Sequence, residues 1–395
     1  MSTRRIVLSR SAAIVGAAAT GLLLPATAGA QSAKLRVGLM LPYTGTYAQL
    51  GVVIENGVRM AIDQQGGKLG GREIEWFKVD DESEPSKAVE NASKLVQRDK
   101  VQVLIGTVHS GVQMGIQKVA RETGVLSLIP NAGAHVATRA LCAPNVFRTS
   151  FTNAQPTLAL GPAMVARGHK KAVWITWKYA AGEEAFEGFK QSYPAAGGSI
   201  VKELGLPFPN VEFQALLTEI AALQPDAVAC FFAGAGAAKF IRDYAAAGLK
   251  DKIALYGSGF LTEGVLDAAG PAADGIITTM HYSDSLDTPR NKQFRLEYAK
   301  TFRSQPDVYA MQGYDTGLLL VHGANAVQGD MEAKPALYRA LESAVIDSPR
   351  GRWTMSRSHN PVQDIYLRRV ENMENKVIGV AAKALADSGA GCRMG

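Results

Sequence analysis

Apolar and polar positions alternate along the chain in two rhythms. Short apolar runs predict strands, and stretches with apolar residues three and four apart predict amphipathic helices. The two kinds follow each other without interruption from residue 34 to residue 129, which predicts a parallel sheet with helices on both faces. The predicted order is strand Lys34–Met40, helix Gln49–Gln64, strand Glu73–Val79, helix Ser86–Arg98, strand Val101–Gly106, helix Val112–Glu122 and strand Val125–Ile129.

A stretch rich in turn residues, Pro130 to Asn153, interrupts this rhythm, and the alternation then resumes. A second α/β unit is therefore predicted. Its elements are helix Pro156–Arg167, strand Lys171–Trp177, helix Gly182–Tyr193, strand Ser199–Leu206, helix Val211–Leu223, strand Asp226–Phe232, helix Gly236–Ala247 and strand Ile253–Tyr256.

The remainder of the chain, from Pro289, is mainly helical and closes with two short strands. Too little strand remains for a third sheet, so we expect these elements to complete the two earlier units. The chain must then cross between the units more than once. The predicted elements are helices Lys292–Phe302, Tyr309–Val327 and Lys334–Ala344 and strands Asp364–Val370 and Lys376–Val380.

The N-terminus has the pattern of a cleaved export signal. Basic residues precede an apolar run from Ala12 to Leu24, and small residues end at Ala30. A membrane anchor is the alternative, but a span needs about 20 apolar residues. We expect residues 1–30 to be removed and the protein to work in the periplasm. The pair Arg4-Arg5 fits a twin-arginine signal, and a general secretory signal fits as well.

The composition is that of a globular chain, with 395 residues, 47% hydrophobic and 20% charged residues. The net charge is +6, and three arginines of the predicted leader account for half of it. The chain contains no basic run with interleaved aromatic residues, so we expect no nucleic-acid partner.

Three cysteines in an exported chain suggest one disulfide and one free thiol. Cys230 lies in an apolar run and is expected to be buried in a strand. Cys142 and Cys392 are then the predicted disulfide, which would hold the C-terminal tail. Two free thiols remain the alternative.

The usual catalytic and cofactor motifs are missing. The sequence contains no P-loop, zinc-protease, C-x-x-C or nucleophile-elbow pattern, and its six histidines are scattered. We therefore expect no metal, no cofactor and no enzymatic activity. A secreted hydrolase with Ser110 as nucleophile and His109 as base is the rival hypothesis, although sequence neighbours rarely point at each other.

Small, polar, glycine-containing turns follow three predicted strands, namely 42–47, 106–111 and 130–134. In an open α/β sheet the ligand crevice lies at such strand ends. We expect Ser110 to cap the helix that begins near Val112, where its hydroxyl group and the helix N-terminus could bind a carboxylate.

These turns, with an exported N-terminus and the later segment Tyr244–Leu249, resemble the periplasmic substrate-binding proteins of branched-chain amino-acid type ABC transporters. The resemblance covers the whole mature chain. It implies a type I periplasmic-binding fold, α/β, with two lobes that close on a small solute and deliver it to a membrane permease. The expected lobes are 31–151 with 283–352 and 152–282 with 353–395, joined by three hinge crossovers. A monomer is expected.

The resemblance also implies ligand-binding residues. In the family, a serine matching Ser110 and main-chain groups matching Asn131 to Gly133 hold the ligand carboxylate. Amino-acid binders add a threonine where this chain has Gly133, and an acidic residue in the loop that here contains Gly259 and Phe260. The predicted contacts are Tyr47, His109, Ser110, Asn131, Ala132, Gly133, Tyr179, Phe232, Gly234, Phe260 and Tyr282.

A buried ammonium group without a carboxylate partner is costly. The loss of the acidic residue therefore argues against an α-amino acid. Leu50 and Ala181 also stand where amino-acid binders tend to carry tyrosines, which suggests a larger, flatter pocket. The pattern 256–262 resembles the branch of the family that takes up aromatic acids such as hydroxybenzoates and phenylpropenoids. The expected ligand is such an acid, with a branched-chain or other amino acid as the alternative.

Overall fold

Strands and helices alternate and form two sheets, as the sequence pattern predicted. The computed structural model describes residues 33–394 and Met1, so the predicted leader, residues 1–30, lies outside the described residues apart from Met1. Within the described residues no helix is long and apolar enough to cross a membrane.

The first sheet has five parallel strands in the order β2-β1-β3-β4-β5. Its inner strands β3 and β4 are buried along their whole length, as expected for strands covered on both faces. The elements of this part are β1 (Leu35–Leu41), α1 (Ala48–Asp63), β2 (Ile74–Asp80), α2 (Ala88–Ser93), β3 (Val103–Ile105), α3 (Ser110–Thr123), β4 (Leu126–Ile129), α4 (His135–Thr138) and β5 (Val146–Arg148).

The second sheet has nine strands, of which the first five along the chain pair in parallel and the last four pair antiparallel. Its elements are α5 (Ala154–Val165), β6 (Lys171–Lys178), α6 (Ala180–Ala195), β7 (Ser199–Pro207), α7 (Gln214–Leu223), β8 (Ala227–Phe231), α8 (Gly234–Ala246), β9 (Ala254–Ser258), α9 (Leu266–Ala269), β10 (Ile277–Met280), β11 (Val345–Ile346), β12 (Trp353–Met355), β13 (Pro361–Glu371) and β14 (Glu374–Leu385).

Three further helices precede β11, and one of them packs closely on the first part of the chain. A Cβ atom on Gly313 would lie 2.0 Å from the carbonyl oxygen of Ile54, and one on Gly57 would lie 2.1 Å from that of Ala310. Glycine therefore lets the helix that contains Gly313 pack against α1 through their backbones, with the two helices side by side and parallel. The helices are α10 (Pro289–Phe302), α11 (Val308–Ala326), which packs on α1, and α12 (Lys334–Glu342).

The structure corrects the predicted elements in a few places. The predicted loop 130–153 contains α4 and β5, and β10 was missed altogether. These pieces have only three or four residues, too few to show a periodicity. The helix predicted over Ser86–Arg98 is present, but it consists of a 3-10 turn at Pro85–Lys87, then α2, then a π-helical turn at Lys94–Arg98.

The cysteines form the disulfide and the buried free thiol that the sequence predicted. Cys230 is a buried free thiol in β8, and Cys142 is bonded to Cys392 with their Cα atoms 5.5 Å apart. Asp387 pairs with Arg139 at 2.8 Å and accepts a hydrogen bond from Thr152 Oγ1. The C-terminal tail is thus held by a covalent bond and by a partly buried ion pair.

Candidate functional site

A small cavity of about 20 Å³ lies where parallel strands of both sheets end. Segments that follow β1, β3, β4, β6, β8 and β9 all contribute to its wall, which is the usual ligand position in open α/β sheets. The described residues that line it are Tyr47, Leu50, Val108, Asn131, Gly133, Phe151, Asn153, Tyr179, Ala181, Phe231, Ala233, Phe260 and Tyr309.

The lining is aromatic and uncharged. Phe260 stacks on Tyr309, with ring centres 5.8 Å apart, and its ring lies 4.7 Å from that of Phe151. The hydroxyl groups of Tyr47 and Tyr179, which also belong to the wall, are hydrogen-bonded at 2.8 Å. The wall therefore offers the surroundings that a flat apolar ring favours, since aromatic rings prefer stacked or edge-on aromatic neighbours.

Five predicted site residues come together in this wall. They are Tyr47, Asn131, Gly133, Tyr179 and Phe260.

His109 lies directly behind Tyr179 and caps α3. Its ring stacks on that of Tyr179 at 4.8 Å, and its Nδ1 atom accepts hydrogen bonds from the amides of Gly111 and Val112. The expectation that Ser110 is the capping residue is therefore wrong, because the neighbouring imidazole takes that role. Burial lowers the pKa of His109 to about 4, so the ring is neutral at neutral pH and can accept these bonds.

Ser110 lies one hydrogen bond behind the cavity wall. It is buried in the first turn of α3, and its Oγ atom accepts a hydrogen bond of 3.2 Å from Asn153 Nδ2. The same amide group of Asn153 donates to Glu184 Oε2 at 2.7 Å. Both oxygens of Glu184 also accept from the backbone amide of His135. Ser110 and His135 belong to the part of the chain that forms the first sheet, whereas Asn153 and Glu184 belong to the part that forms the second. These hydrogen bonds therefore join the two parts.

The electrostatics of this group follow from its burial. Burial raises the pKa of Glu184 to about 7, against the stabilising hydrogen bonds from Asn153 and from the amide of His135. Burial also lowers the pKa of His135 to about 3, so that this side chain is neutral. A cationic side chain also lies behind this part of the wall, because the buried guanidinium group of Arg148 donates to the carbonyl oxygens of Ala132 and Ala134.

Asn131 is oriented by α11. Its Nδ2 atom donates to Gln312 Oε1 at 2.6 Å, and Gln312 Nε2 donates to His281 Nε2 at 3.1 Å. The His281 ring in turn stacks on Phe151 at 5.5 Å. The lining amide and the lining ring are thus positioned by one buried chain of contacts.

The remaining predicted residues lie outside the cavity wall. Ala132 is buried and donates its amide to the carbonyl oxygen of Thr107. Phe232 packs in the core of the second part of the chain, with its ring 4.6 Å from that of Phe240. Tyr282 is also buried, and its hydroxyl group donates to Asn291 Oδ1.

Gly234 supports the wall without lining it. It begins α8 with a φ of +58°, a conformation that favours glycine. A Cβ atom at this position would lie 2.7 Å from the carbonyl oxygen of Thr46 and 3.2 Å from Tyr47 Cδ1. A larger residue would therefore push Tyr47 out of place.

Several lining residues were not predicted from the sequence. Phe151 and Asn153 belong to a stretch that looks like featureless loop, and Tyr309 opens a helix far along the chain. Tyr309 reaches the cavity because α1 and α11 run parallel and bring their N-terminal ends together. In the sequence, Gly57 in one helix and Gly313 and Gly317 in the other indicate that helices pack closely at these positions.

The acidic residue of amino-acid binders has no counterpart in the lining. A Cβ atom on Gly259 would lie 2.5 Å from Arg368 Nη2, which donates to the Gly259 carbonyl oxygen. Arg368 also pairs with buried Glu263, whose other oxygen accepts from the amide of Val308 at 3.1 Å. Arginine thus fills the space beside Gly259, and the acid nearby is already paired.

Residues 34–376 match the periplasmic binding protein family. Among curated proteins, the chain is 27% identical over 358 residues to Leu/Ile/Val-binding protein homolog 6 of Brucella melitensis, covering 89% of this chain and 91% of the relative.

Two solved structures share both sequence and fold. An ABC-transporter solute-binding protein from R. palustris in complex with benzoate is 53% identical, with a TM-score of 0.89 over 91% of this chain and 99% of that one. Another, from Rhodopseudomonas palustris BisB5 in complex with 3,4-dihydroxybenzoic acid, is 30% identical, with a TM-score of 0.85 over 90% and 99%. The chain therefore belongs to the periplasmic binding protein family, as a solute-binding protein of an ABC transporter.

Proposed function

We propose that this protein binds a small aromatic carboxylate, of the benzoate, hydroxybenzoate or cinnamate class, and delivers it to the permease of an ABC importer. The observation that carries the proposal is the lining of the cavity. Its described residues supply aromatic rings and two carboxamide side chains but no charged group. Such a wall suits a flat ring with one anionic end held by hydrogen bonds.

The carboxylate is bound at the ends of β3 and β4. The hydroxyl group of Ser110 accepts from Asn153, and its own proton remains free to donate to the ligand. The backbone amides of Gly133 and Ala134 have no acceptor among the described residues. Together with the N-terminus of α3, these donors bind the anion directly, and the buried guanidinium group of Arg148 lies behind them, where it donates to the carbonyl oxygens of Ala132 and Ala134.

An α-amino acid fits this cavity poorly. Its ammonium group would need an anionic partner, because an unpaired buried charge costs several kcal/mol. Glu184 lies behind Asn153 and already accepts hydrogen bonds, and Glu263 is paired with Arg368. The curated relatives named as Leu/Ile/Val-binding proteins make an amino acid the alternative ligand.

The two structural relatives support the aromatic class. One is in complex with benzoate, and the other is in complex with 3,4-dihydroxybenzoic acid. The identity of 53% to the first covers nearly the whole described chain. The ligand class is therefore proposed from two independent lines, the wall of the cavity and the relatives.

Binding proceeds by closure of two lobes, 31–151 with 283–352 and 152–282 with 353–395. Residues 150–153, 281–283 and 352–356 are the proposed hinges. Arg350, just before the third hinge, donates hydrogen bonds to the carbonyl oxygens of Thr149 and Ser150 at the start of the first hinge. These bonds connect the two hinges. A ligand that touches both lobes shifts the equilibrium toward the closed state. The protein acts in the periplasm as an exported monomer without catalytic activity.

A binding panel tests this function. Purified, ligand-stripped protein is titrated calorimetrically with benzoate, 4-hydroxybenzoate, cinnamate, benzamide and leucine. We expect heat of binding with the acids, at least 100-fold weaker binding of benzamide, and none with leucine. Binding of leucine without binding of the aromatic acids would overturn the proposal and favour the amino-acid alternative.

A further inference from the structure

Tyr309 presents a buried polar atom that the protein leaves without a partner. The residue is 1% exposed and lines the cavity. Its hydroxyl group has no hydrogen-bond partner among the described residues. Buried hydroxyl groups are normally paired, so an unpaired one at a cavity wall indicates a bond that a ligand completes.

Two further tyrosine hydroxyl groups belong to the same wall. Tyr47 and Tyr179 share one hydrogen bond of 2.8 Å, in which one hydroxyl group donates and the other accepts. The accepting tyrosine keeps its proton for another partner, and the donating oxygen keeps its lone pairs. With Tyr309, the wall therefore offers both donors and acceptors.

The fold brings these three groups together from distant parts of the chain. Tyr47 precedes α1, Tyr179 follows β6, and Tyr309 lies in the first turn of α11. The parallel contact between α1 and α11 fixes the first and the third at the same end of the two helices. The cluster of Tyr47, Tyr179 and Tyr309, here called the tyrosine cluster, is thus held by rigid elements.

The surroundings of the tyrosine cluster favour a neutral polar group over an anion. Burial raises the pKa of Tyr309 far above its ordinary value, and the nearby acids Asp307 and Glu263 add to that effect, so its hydroxyl group stays protonated. The carboxylate of the ligand is assigned to the ends of β3 and β4, so a neutral group of the ligand faces this end of the cavity. A hydroxyl group, which donates and accepts, matches the mixed character of the cluster.

We propose that the tyrosine cluster, through the free hydroxyl group of Tyr309, binds a hydroxyl substituent on the ring of the ligand and makes the receptor prefer hydroxylated aromatic acids to benzoate. This inference rests on the proposed function, since it assigns the second end of the same ligand. Tyr309 is then a specificity-determining residue, whereas Ser110 and the amides near Gly133 recognise the carboxylate that all these acids share.

The test compares benzoate with the three monohydroxybenzoates by calorimetry, on wild-type protein and on Tyr309→Phe. We expect at least one hydroxybenzoate isomer to bind the wild type more tightly than benzoate, and roughly 5- to 30-fold more weakly to the variant. Benzoate should bind the variant as well as the wild type or more tightly, because no ligand group loses a partner.

A matched control removes a phenolic hydroxyl group elsewhere. Tyr298 is buried in α10, where its ring packs against Phe294 and Phe302, and it does not line the cavity. Tyr298→Phe should leave the ratio of the two dissociation constants unchanged.

The outcomes separate the two proposals. If the wild type binds benzoate at least as tightly as every isomer, the inference is wrong whether or not the variant folds. Equal weakening of benzoate and hydroxybenzoate by Tyr309→Phe would also overturn it, since Tyr309 would then contact the carboxylate. Failure of every aromatic acid to bind the wild type would instead refute the proposed function.

Discussion

Gly133 lies directly against Asn153: a Cβ atom on Gly133 would be 2.2 Å from Asn153 Oδ1 and 2.8 Å from its backbone nitrogen. The side chain of Asn153 thus takes the space that any larger residue at 133 would need. Both residues line the cavity, and Asn153 carries the hydrogen bonds to Ser110 and Glu184. The hydrogen bonds of Asn153 with Ser110 and Glu184 therefore require glycine at position 133.

Gly133→Ala should displace Asn153 and weaken binding of benzoate at least tenfold, with a loss of stability of about 1 to 3 kcal/mol from overpacking. Calorimetry and urea unfolding measure the two effects. Gly379→Ala is the control, because a Cβ atom there meets nothing within 4 Å. Unchanged benzoate affinity in Gly133→Ala would mean that the network does not contribute to the site.

Ser110→Ala should weaken binding of benzoate by about 1.5 to 3 kcal/mol, the range for a hydrogen bond to a charged group. Titration calorimetry measures the change. Ser127→Ala is the matched control, since Ser127 is buried in β4 and its hydroxyl group has no partner among the described residues. If Ser110→Ala binds as tightly as this control, the carboxylate is held elsewhere in the cavity.

The succession of strands and helices along the chain and the turns that follow β1, β3 and β4 could be predicted from the sequence, because parallel strands buried on both faces leave clear apolar runs. Asn153 and Tyr309 could not. Asn153 lies in a stretch without periodicity, and Tyr309 reaches the wall only through the contact between α1 and α11. Glycines in the two helices permit that contact but do not identify the partner helix, and eight of the thirteen described lining residues were not among the predicted contacts.

The capping residue of α3 illustrates a different limit. Serine favours the first position of a helix in general, which made Ser110 the expected cap. The neutral ring of His109 accepts the same backbone hydrogen bonds because burial against Tyr179 keeps it unprotonated. A local preference was thus overridden by the surroundings of the neighbouring residue.

Removal of the disulfide should lower stability and leave binding intact. The disulfide joins two residues that are 250 positions apart in the sequence. The free energy of unfolding of the double variant Cys142→Ser/Cys392→Ser should therefore be lower by about 2 to 4 kcal/mol. The ion pair of Asp387 with Arg139 still holds the tail, so benzoate affinity should change less than twofold. Chemical unfolding and calorimetry test both points. A reductant should destabilise the wild type but not the variant; equal sensitivity of the two would contradict this explanation.

The buried carboxyl group of Glu184 should make stability fall as pH rises. Burial raises its pKa to about 7, above its ordinary value of 4.5. The folded protein therefore binds more protons than the unfolded chain between these values, and stability decreases from about pH 4.5 to pH 7. Glu184→Gln removes this effect and keeps an oxygen that can accept from Asn153. We expect the variant to be more stable than the wild type by about 3 kcal/mol at pH 8, with no difference near pH 4.

The difference between variant and wild type isolates Glu184 from groups that act in the opposite direction. Burial lowers the pKa of His109 to about 4 and that of His135 to about 3, so these two residues make stability rise with pH up to about 6.5 in both proteins. Urea unfolding at pH 4, 6 and 8 gives the difference curve. A flat curve for Glu184→Gln would show that Glu184 is ionised in the folded protein and is stabilised by the amides of Asn153 and His135.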